Sequence, residues 1–543
     1  MSKTHLTRRA PLVIIALLTA ATLTLAHEAR AQEGPEGVQP VTCDPAGAPL
    51  TASEHLRALS LDLRGELPSA EERAAARAAG EVTEALLDDM LSSDAFARRF
   101  VRLHRALLWP YLGNSDTTPG YRLSYDAHWD PNGARTRLWY FPRPALRGDD
   151  RPCRNEPEPS PDAPVMVDEG GGKRREGYVC VRRYLDHSFL ASDPDCPAGQ
   201  IKVCAQDALT HPVSRATGDR CDVIQSRYSP PPEGCGCGEN LRWCGDYQQF
   251  MQPLLDGLDQ QIRWVIDNDR PYYELLAEAP PMINGPLAHY YKYMAPFMRL
   301  SLPLAPSLVP ELEYRDAETW VEIDAGPEAR GVLTNWVFLA RFITQRARVD
   351  RFYQSFLCSP FEPPVSGIET NGADRDEPDL QRRDGCKYCH SIIEPIGAYW
   401  GRYAEGASAY LSPGEFPDFD PDCYTCALSG SCTPRCSTYY ITQAPTGAEV
   451  PYLGYLKAYL FRYPEHQPHL NEGPRALVRR ALLDGRLGVC ATRNAFKWLV
   501  GRAPSPDEEG WVAEVAGRFM EGGYDFKSLV RELVMSDVYR RAR

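Results

Sequence analysis

After residue 31 the sequence has no run of roughly 20 consecutive apolar residues, the length a membrane-spanning helix needs, so it predicts no span in a processed chain. Positive charge is also in short supply. Lys and Arg number 60 against 73 Asp and Glu, for a net charge of −13. That balance points away from nucleic acid and from anionic membrane surfaces as partners, and favours a basic partner if charge matters at all. Hydrolase and nucleotide motifs are missing: there is no G-x-S-x-G, no H-E-x-x-H and no Gly-rich phosphate loop. The pairs Asp88-Asp89 and Asp149-Asp150 read as solvated surface. No catalytic residue is assigned.

What is present begins with an address. Lys3, Arg8 and Arg9 precede an apolar or small-residue run from Leu12 to Ala26, and Ala29-Arg30-Ala31 is a cleavage signal before Gln32. Residues 1–31 are therefore read as a signal peptide, with a periplasmic or secreted product. Pro11 interrupts the stretch that would follow a twin-arginine signal, which favours the general secretory route. Seventeen cysteines suit an oxidising compartment and imply disulfides.

The fold class expected is mainly α and multi-helical, with a cytochrome c-like haem region and a cysteine-rich irregular insertion holding short β-strands. Residues 45–112 read as an N-terminal helical domain. Ser69 with Glu72 is a capping-box signal there, and Ser93 is an N-cap for the helix carrying Phe96, Phe100, Leu103, Leu107 and Leu108. Residues 113–246 lose helical periodicity. Their eight cysteines (Cys153, Cys180, Cys196, Cys204, Cys221, Cys235, Cys237 and Cys244) mark a disulfide-stapled insertion. Residues 247–358 return to helix, with one helical stretch read from Gly331 to Cys358. Residues 359–450 hold a polar loop at 365–381, the haem attachment region and a second cysteine-rich loop at 405–450. Residues 451–543 form a C-terminal helical domain. Leu87 to Arg99 and Leu529 to Arg541 echo each other around Ser93 and Ser536, which reads as a shared helix–cap–helix solution.

The chemistry concentrates at Cys386-Lys387-Tyr388-Cys389-His390. C-x-x-C-H is the attachment signature of c-type haem. Thiols three positions apart lie on one side of a helical turn and reach both vinyl groups of one porphyrin, and the next histidine falls under the iron. Cys386 and Cys389 are the thioether candidates and His390 the proximal ligand. The competing readings of the pair are a redox dithiol, half a zinc site and a local disulfide. Cys423-x-x-Cys426, continuing to Cys432 and Cys436, suits zinc or an iron–sulfur cluster by spacing, but the compartment favours two local disulfides.

A sixth iron ligand is not evident. Met520 and Met535 read as core, and His466 and His469 lie in a Pro-rich, exposed-looking stretch. His289 sits beside Tyr290 and Tyr291. His104, on an otherwise apolar helix, is carried as the distal candidate, although a histidine in that setting is usually a hydrogen-bonded core residue. An open sixth position is the other choice.

The stretch Cys386 to Gly397, read as C-x-x-C-H-x-x-I-x-P-I-G, resembles that of large exported cytochrome-like proteins of planctomycetes and myxobacteria, built from domains of unknown function. Leu59-Ser60-Leu61-Asp62-Leu63-Arg64-Gly65-Glu66-Leu67-Pro68, Asn284-Gly285-Pro286-Leu287-Ala288-His289-Tyr290-Tyr291, Gly331-Val332-Leu333-Thr334, Leu357-Cys358-Ser359-Pro360, Gly523-Tyr524-Asp525-Phe526 and Ser536-Asp537-Val538-Tyr539-Arg540 resemble other segments of that family in the same order. The likeness misses 113–246 and 405–450. It also departs after Gly397, where Ala398-Tyr399-Trp400-Gly401-Arg402-Tyr403 replaces an acidic-aromatic segment. It strengthens the reading of one covalent haem c, and the electron-transfer reading expects a redox partner protein. Cys358 and Cys490 lie at helix ends in family-like segments, where they are expected to be structural and able to pair. The functional expectation is electron transfer by a mono-haem protein. The alternative is a non-redox exported surface or carbohydrate-binding protein. In that case Cys386-Cys389 is a disulfide, the aromatic insertion is the working surface, and an unidentified polymer is a possible substrate.

Overall fold

Hydrophobic periodicity accounts for most of the elements in the computed structural model. It describes residues 49–112, the backbone of 123–129 and 135–142, and 153–542 apart from 173, 183–194, 215–216, 220, 222–233, 244–247, 296–301, 363–373, 408–409 and 458–465. The expected signal peptide lies outside the described residues, as does most of the expected loop at 365–381.

Four helices open the described chain: α1 (Ala52–Leu63), α2 (Ala70–Ala79), α3 (Glu84–Leu91) and α4 (Asp94–Leu108). Their starts follow from side-chain oxygens that satisfy otherwise orphaned amides. Ser69 Oγ accepts from Glu72 N at 3.1 Å while Glu72 Oε2 accepts from Ser69 N at 2.6 Å, completing the expected capping box. Ser93 Oγ accepts from Phe96 N and donates to Met90 O, and Ser536 Oγ accepts from Tyr539 N and donates to Leu533 O. The echo between the two ends of the chain is thus a common cap.

The insertion carries β1 (Leu123–Trp129), β2 (Arg135–Pro142), β3 (Val167–Asp168), β4 (Arg174–Arg175), β5 (Tyr178–Arg182) and β6 (Gln200–Cys204). The order β1-β2-β6-β5 makes a four-stranded sheet, antiparallel in β1–β2 and β5–β6 and parallel where Tyr140 faces Val203. Disulfides Cys153–Cys204, Cys180–Cys196 and Cys221–Cys235 staple it, and Cys237 is also disulfide-bonded. Its small cluster of Val179, Ile201, Val203 and Leu241 shows why such staples are needed.

Helices then resume with α5 (Gln248–Asp267), α6 (Glu274–Ala277) and α7 (Gly285–His289), with a short ribbon of β7 (Met282–Ile283) and β8 (Val321–Glu322). The stretch read as one helix from Gly331 to Cys358 is two, α8 (Trp336–Arg341) and α9 (Gln345–Phe356). Phe342 leaves helical geometry at ψ 80°, and Thr344 restarts the chain by accepting from Ala347 N. The motif helix is α10 (Lys387–Gly397). The loop expected at 405–450 contains α11 (Pro421–Ser429) and α12 (Pro434–Tyr439), tied by Cys423–Cys436 and Cys426–Cys432. The four thiols are consumed as the two local disulfides expected. The chain closes with α13 (His466–Leu483), α14 (Arg486–Val500), α15 (Glu509–Glu521), α16 (Phe526–Met535) and α17 (Asp537–Ala542).

One hydrophobic core runs through Leu56, Phe100, Ile262, Phe352, Trp400, Phe496, Val530 and Tyr539, so the segments before and after the insertion bury their apolar stripes against each other. Cys358–Cys490 joins α9's end to α14 with Cα atoms 5.3 Å apart, the pairing expected.

His104 lies inside this core, fully buried on α4. Burial lowers its pKa from 6.5 to about 4. The unfolded chain takes up that proton near 6.5 and the folded chain only near 4, so folding stability falls as pH drops through this window, by about 3 kcal/mol in all. His104→Gln is expected to flatten the pH dependence of the urea midpoint between pH 6.5 and 4. An unchanged slope assigns the effect to other groups.

Candidate functional site

The candidate site is built on the first turns of α10. Gly385 takes φ 77°, a conformation glycine adopts without penalty, and turns the chain so that Cys386 starts the helix. Asp384 accepts from Lys387 Nζ at 2.8 Å across this start. Cys386 O then accepts from Cys389 N at 3.2 Å and from His390 N at 3.0 Å, which fixes both cysteines and the histidine on one turn.

Cys386 and Cys389 are free thiols, both half-buried. Every other described cysteine is disulfide-bonded. Cys43 and Cys244 lie outside the described residues. The local Cys386–Cys389 disulfide of the alternative reading is not formed. Among the described residues, no group of three or more His, Cys, Asp or Glu side chains converges to hold a bare metal ion. The two thiols and the imidazole are therefore spread along a turn rather than gathered around one point.

His390 is anchored by a group that the motif alone does not specify. Its Nδ1 lies 2.7 Å from Glu394 Oε1, one turn on, and the same oxygen accepts from Arg346 Nε of α9 at 2.7 Å. The Glu394 side chain is 3% exposed and that of His390 21%. A buried carboxylate is costly unless paired, and Arg346 supplies the charge. An ionised carboxylate only accepts, so the Nδ1 of neutral His390 carries the proton and its Nε2 keeps the lone pair. Histidines that bind metals commonly show this arrangement, the second nitrogen donating to a carboxylate.

The back of α10 is held tightly. Ile393 belongs to the core, and a Cβ on Gly397 would lie 3.3 Å from Gln345 Cβ, so Pro-Ile-Gly ends the helix close against α9. A Cβ on Gly401 would lie 1.8 Å from Leu470 Cδ2, which brings α13 against the following turn. Trp400 is fully buried and donates to Leu333 O at 3.0 Å. On the open side, Tyr388 and Ile392 are exposed at 75% and 43%, an apolar pair one turn apart beside the two thiols.

His469 is not in the exposed stretch that the prolines suggested. It is buried on α13, donates from Nδ1 to Pro395 O at 3.1 Å and stacks on Tyr399 with ring centroids 4.2 Å apart. The structure places His104 elsewhere. Its Nδ1 donates to Phe100 O at 2.9 Å and its Nε2 accepts from Tyr272 Oη at 3.1 Å, so neither nitrogen keeps a lone pair for iron. The sixth-ligand expectation for His104 has no counterpart in this geometry. It is a hydrogen-bonded core histidine.

Sequence reasoning missed Glu394 and Arg346. The usable signal is the i, i+4 spacing of His390 and Glu394, which places them one above the other on a helix. Set against known proteins, the chain matches no family model, no curated protein and no solved structure.

Proposed function

We propose that this chain is an exported electron-transfer protein carrying one haem c, with Cys386 and Cys389 as its thioether anchors and His390 as its proximal ligand. One observation carries the reading. Among the described residues, the two thiols left free stand three residues apart on one helical turn, directly before an imidazole whose Nδ1 is held by a buried carboxylate. Each thiol would add its S–H across one porphyrin vinyl group, so attachment would consume no oxidant. When bound, the group supplies a reversible one-electron iron couple. Export agrees with the disulfides, and no helix among the described residues is long and apolar enough to cross a membrane. The ordered short segments that resemble the cytochrome-like family add to the case. Oxidised and reduced visible spectra test it, because a haem c gives Soret and α bands that sharpen on reduction. A colourless product from a host with c-type maturation machinery contradicts it.

Within this reading the chain's own contribution is at Nδ1. Glu394 holds the His390 ring in one orientation and one tautomer, and its negative charge strengthens the imidazole as a donor through Nε2. Arg346 pairs with the same carboxylate from α9. Both effects favour the oxidised state of a bound iron. Glu394→Gln keeps a hydrogen-bonding group but removes the charge and leaves Arg346 unbalanced. The variant is expected to retain covalent cofactor and to be easier to reduce by at least tenfold in the equilibrium, about 59 mV for one electron. An unchanged potential with cofactor retained makes Glu394 a structural pair for Arg346 and nothing more.

A further inference from the structure

A concavity whose lining includes no residue of α10 has a chemistry of its own. It is an open cleft of about 810 Å³ between the end of α5, α6 and one face of α13. Three half-buried aromatic side chains line it, Trp264, Tyr273 and Tyr524, together with four arginines, Arg270, Arg330, Arg475 and Arg479. Two carboxylates, Glu274 and Glu278, also line it, so the lining carries a charge of about +2 on a chain whose net charge is −13.

The arginines are unequally committed. Arg270 is bidentate to Glu274 at 2.8 and 3.0 Å. Arg475 pairs with Glu278 at 2.5 Å through Nε, which leaves its two terminal nitrogens. Arg330 spends Nε, Nη1 and Nη2 on Ala325 O, Glu278 O and Asp324. Arg479 is exposed on the face of α13 that carries Arg475 one turn away. Like charges at i, i+4 destabilise a helix, and only Arg475 of the two is offset by a nearby carboxylate. The pair is suited to an anionic group that bridges them.

The aromatic wall is equally specific. Tyr273 and Tyr524 meet edge to face at 5.5 Å, and Arg270 lies over the Trp264 ring at 5.6 Å. Tyr524 is held at φ 62°, an uncommon conformation for a bulky residue, fixed by Tyr524 N to Phe519 O and Tyr272 N to Tyr524 O. It aims the ring into the cleft. Flat rings that stack on C–H faces, phenolic hydroxyls for sugar hydroxyls and guanidiniums for carboxylates together describe an acidic sugar chain. The open lining suits a polymer rather than an enclosed small molecule.

We infer that this cleft binds a carboxylate-bearing polysaccharide, with Arg475 and Arg479 on a uronate carboxylate and Tyr273 and Tyr524 against the sugar faces. The inference does not depend on what Cys386 and Cys389 hold. Affinity electrophoresis of the full processed chain in gels containing polygalacturonate tests it, with dextran and dextran sulfate gels beside it. Retardation by polygalacturonate and not by dextran is expected, weakening as salt rises. Arg479→Glu, at an exposed position that does not threaten folding, is expected to weaken binding at least tenfold, and Arg479→Lys to restore part of it. A Cys386→Ala, Cys389→Ala variant is expected to bind as the parent does. Equal retardation by dextran, no retardation by polygalacturonate, retardation by dextran sulfate alone, or an unaffected Arg479→Glu variant each overturns it.

Discussion

Replacing Cys386 and Cys389 together by alanine is expected to give a folded, colourless protein where the parent is expected to carry one covalent haem per chain. In the proposed attachment both bonds to the porphyrin vinyl groups would be made by these thiols, so the loss is expected to be complete. His390 alone, with its side chain 21% exposed on an open helix face, offers a single iron bond against dissociation. Folding survives because neither thiol takes part in a disulfide and neither is fully buried. α10 keeps its packing through Ile393 and Gly397, and the turns after it through Trp400. Cys389→Ala alone is expected to keep a weakened colour, with one thioether remaining. The readouts are the visible spectrum and the circular dichroism of the same sample. A double variant with the parent's spectrum contradicts the attachment.

The second large effect is on stability. Cys358→Ala with Cys490→Ala opens a link across 132 residues. In the chain-entropy account a loop of that length is worth about 5 kcal/mol, against about 2 kcal/mol for the 6-residue separation of Cys426 and Cys432. Alanine avoids burying a new polar group at Cys490, which is 1% exposed. The same disulfide anchors α14 to the end of α9, the helix that presents Arg346 to the motif. Urea unfolding of both double variants checks the order of the two effects. A smaller loss from the long-range pair than from the local one contradicts the entropic account.

Much of this was legible in the sequence because it rests on short-range physics. The Ser69 and Ser93 caps, the disulfides among Cys423, Cys426, Cys432 and Cys436, and the helix carrying Phe96, Phe100, Leu103 and Leu107 all depend on residues within a turn or a loop of each other. Cys358–Cys490 was legible only through the resemblance of the segments that hold them. What escaped the sequence depends on which faces meet. Acidic residues are usually exposed, so nothing local marks Glu394 as buried, and Arg346 reaches it only because α9 packs on α10. The prolines around His469 suggested exposure. Instead Gly473 takes φ 67° within α13, and the helix lays His469 on the carbonyl of Pro395. His104 was correctly placed on an apolar face. Its fate was decided by Tyr272, a residue 168 positions away whose hydroxyl occupies Nε2.

The most direct test of the central claim is the intact mass of the denatured, reduced chain, followed by mapping of the peptide that contains Cys386 and Cys389. The protein is to be produced by secretion in a host with c-type maturation machinery. The account predicts the processed polypeptide plus one haem, surviving denaturation and residing on that peptide. A chain at the mass of polypeptide alone, with both Cys386 and Cys389 titrating as free thiols, would contradict it.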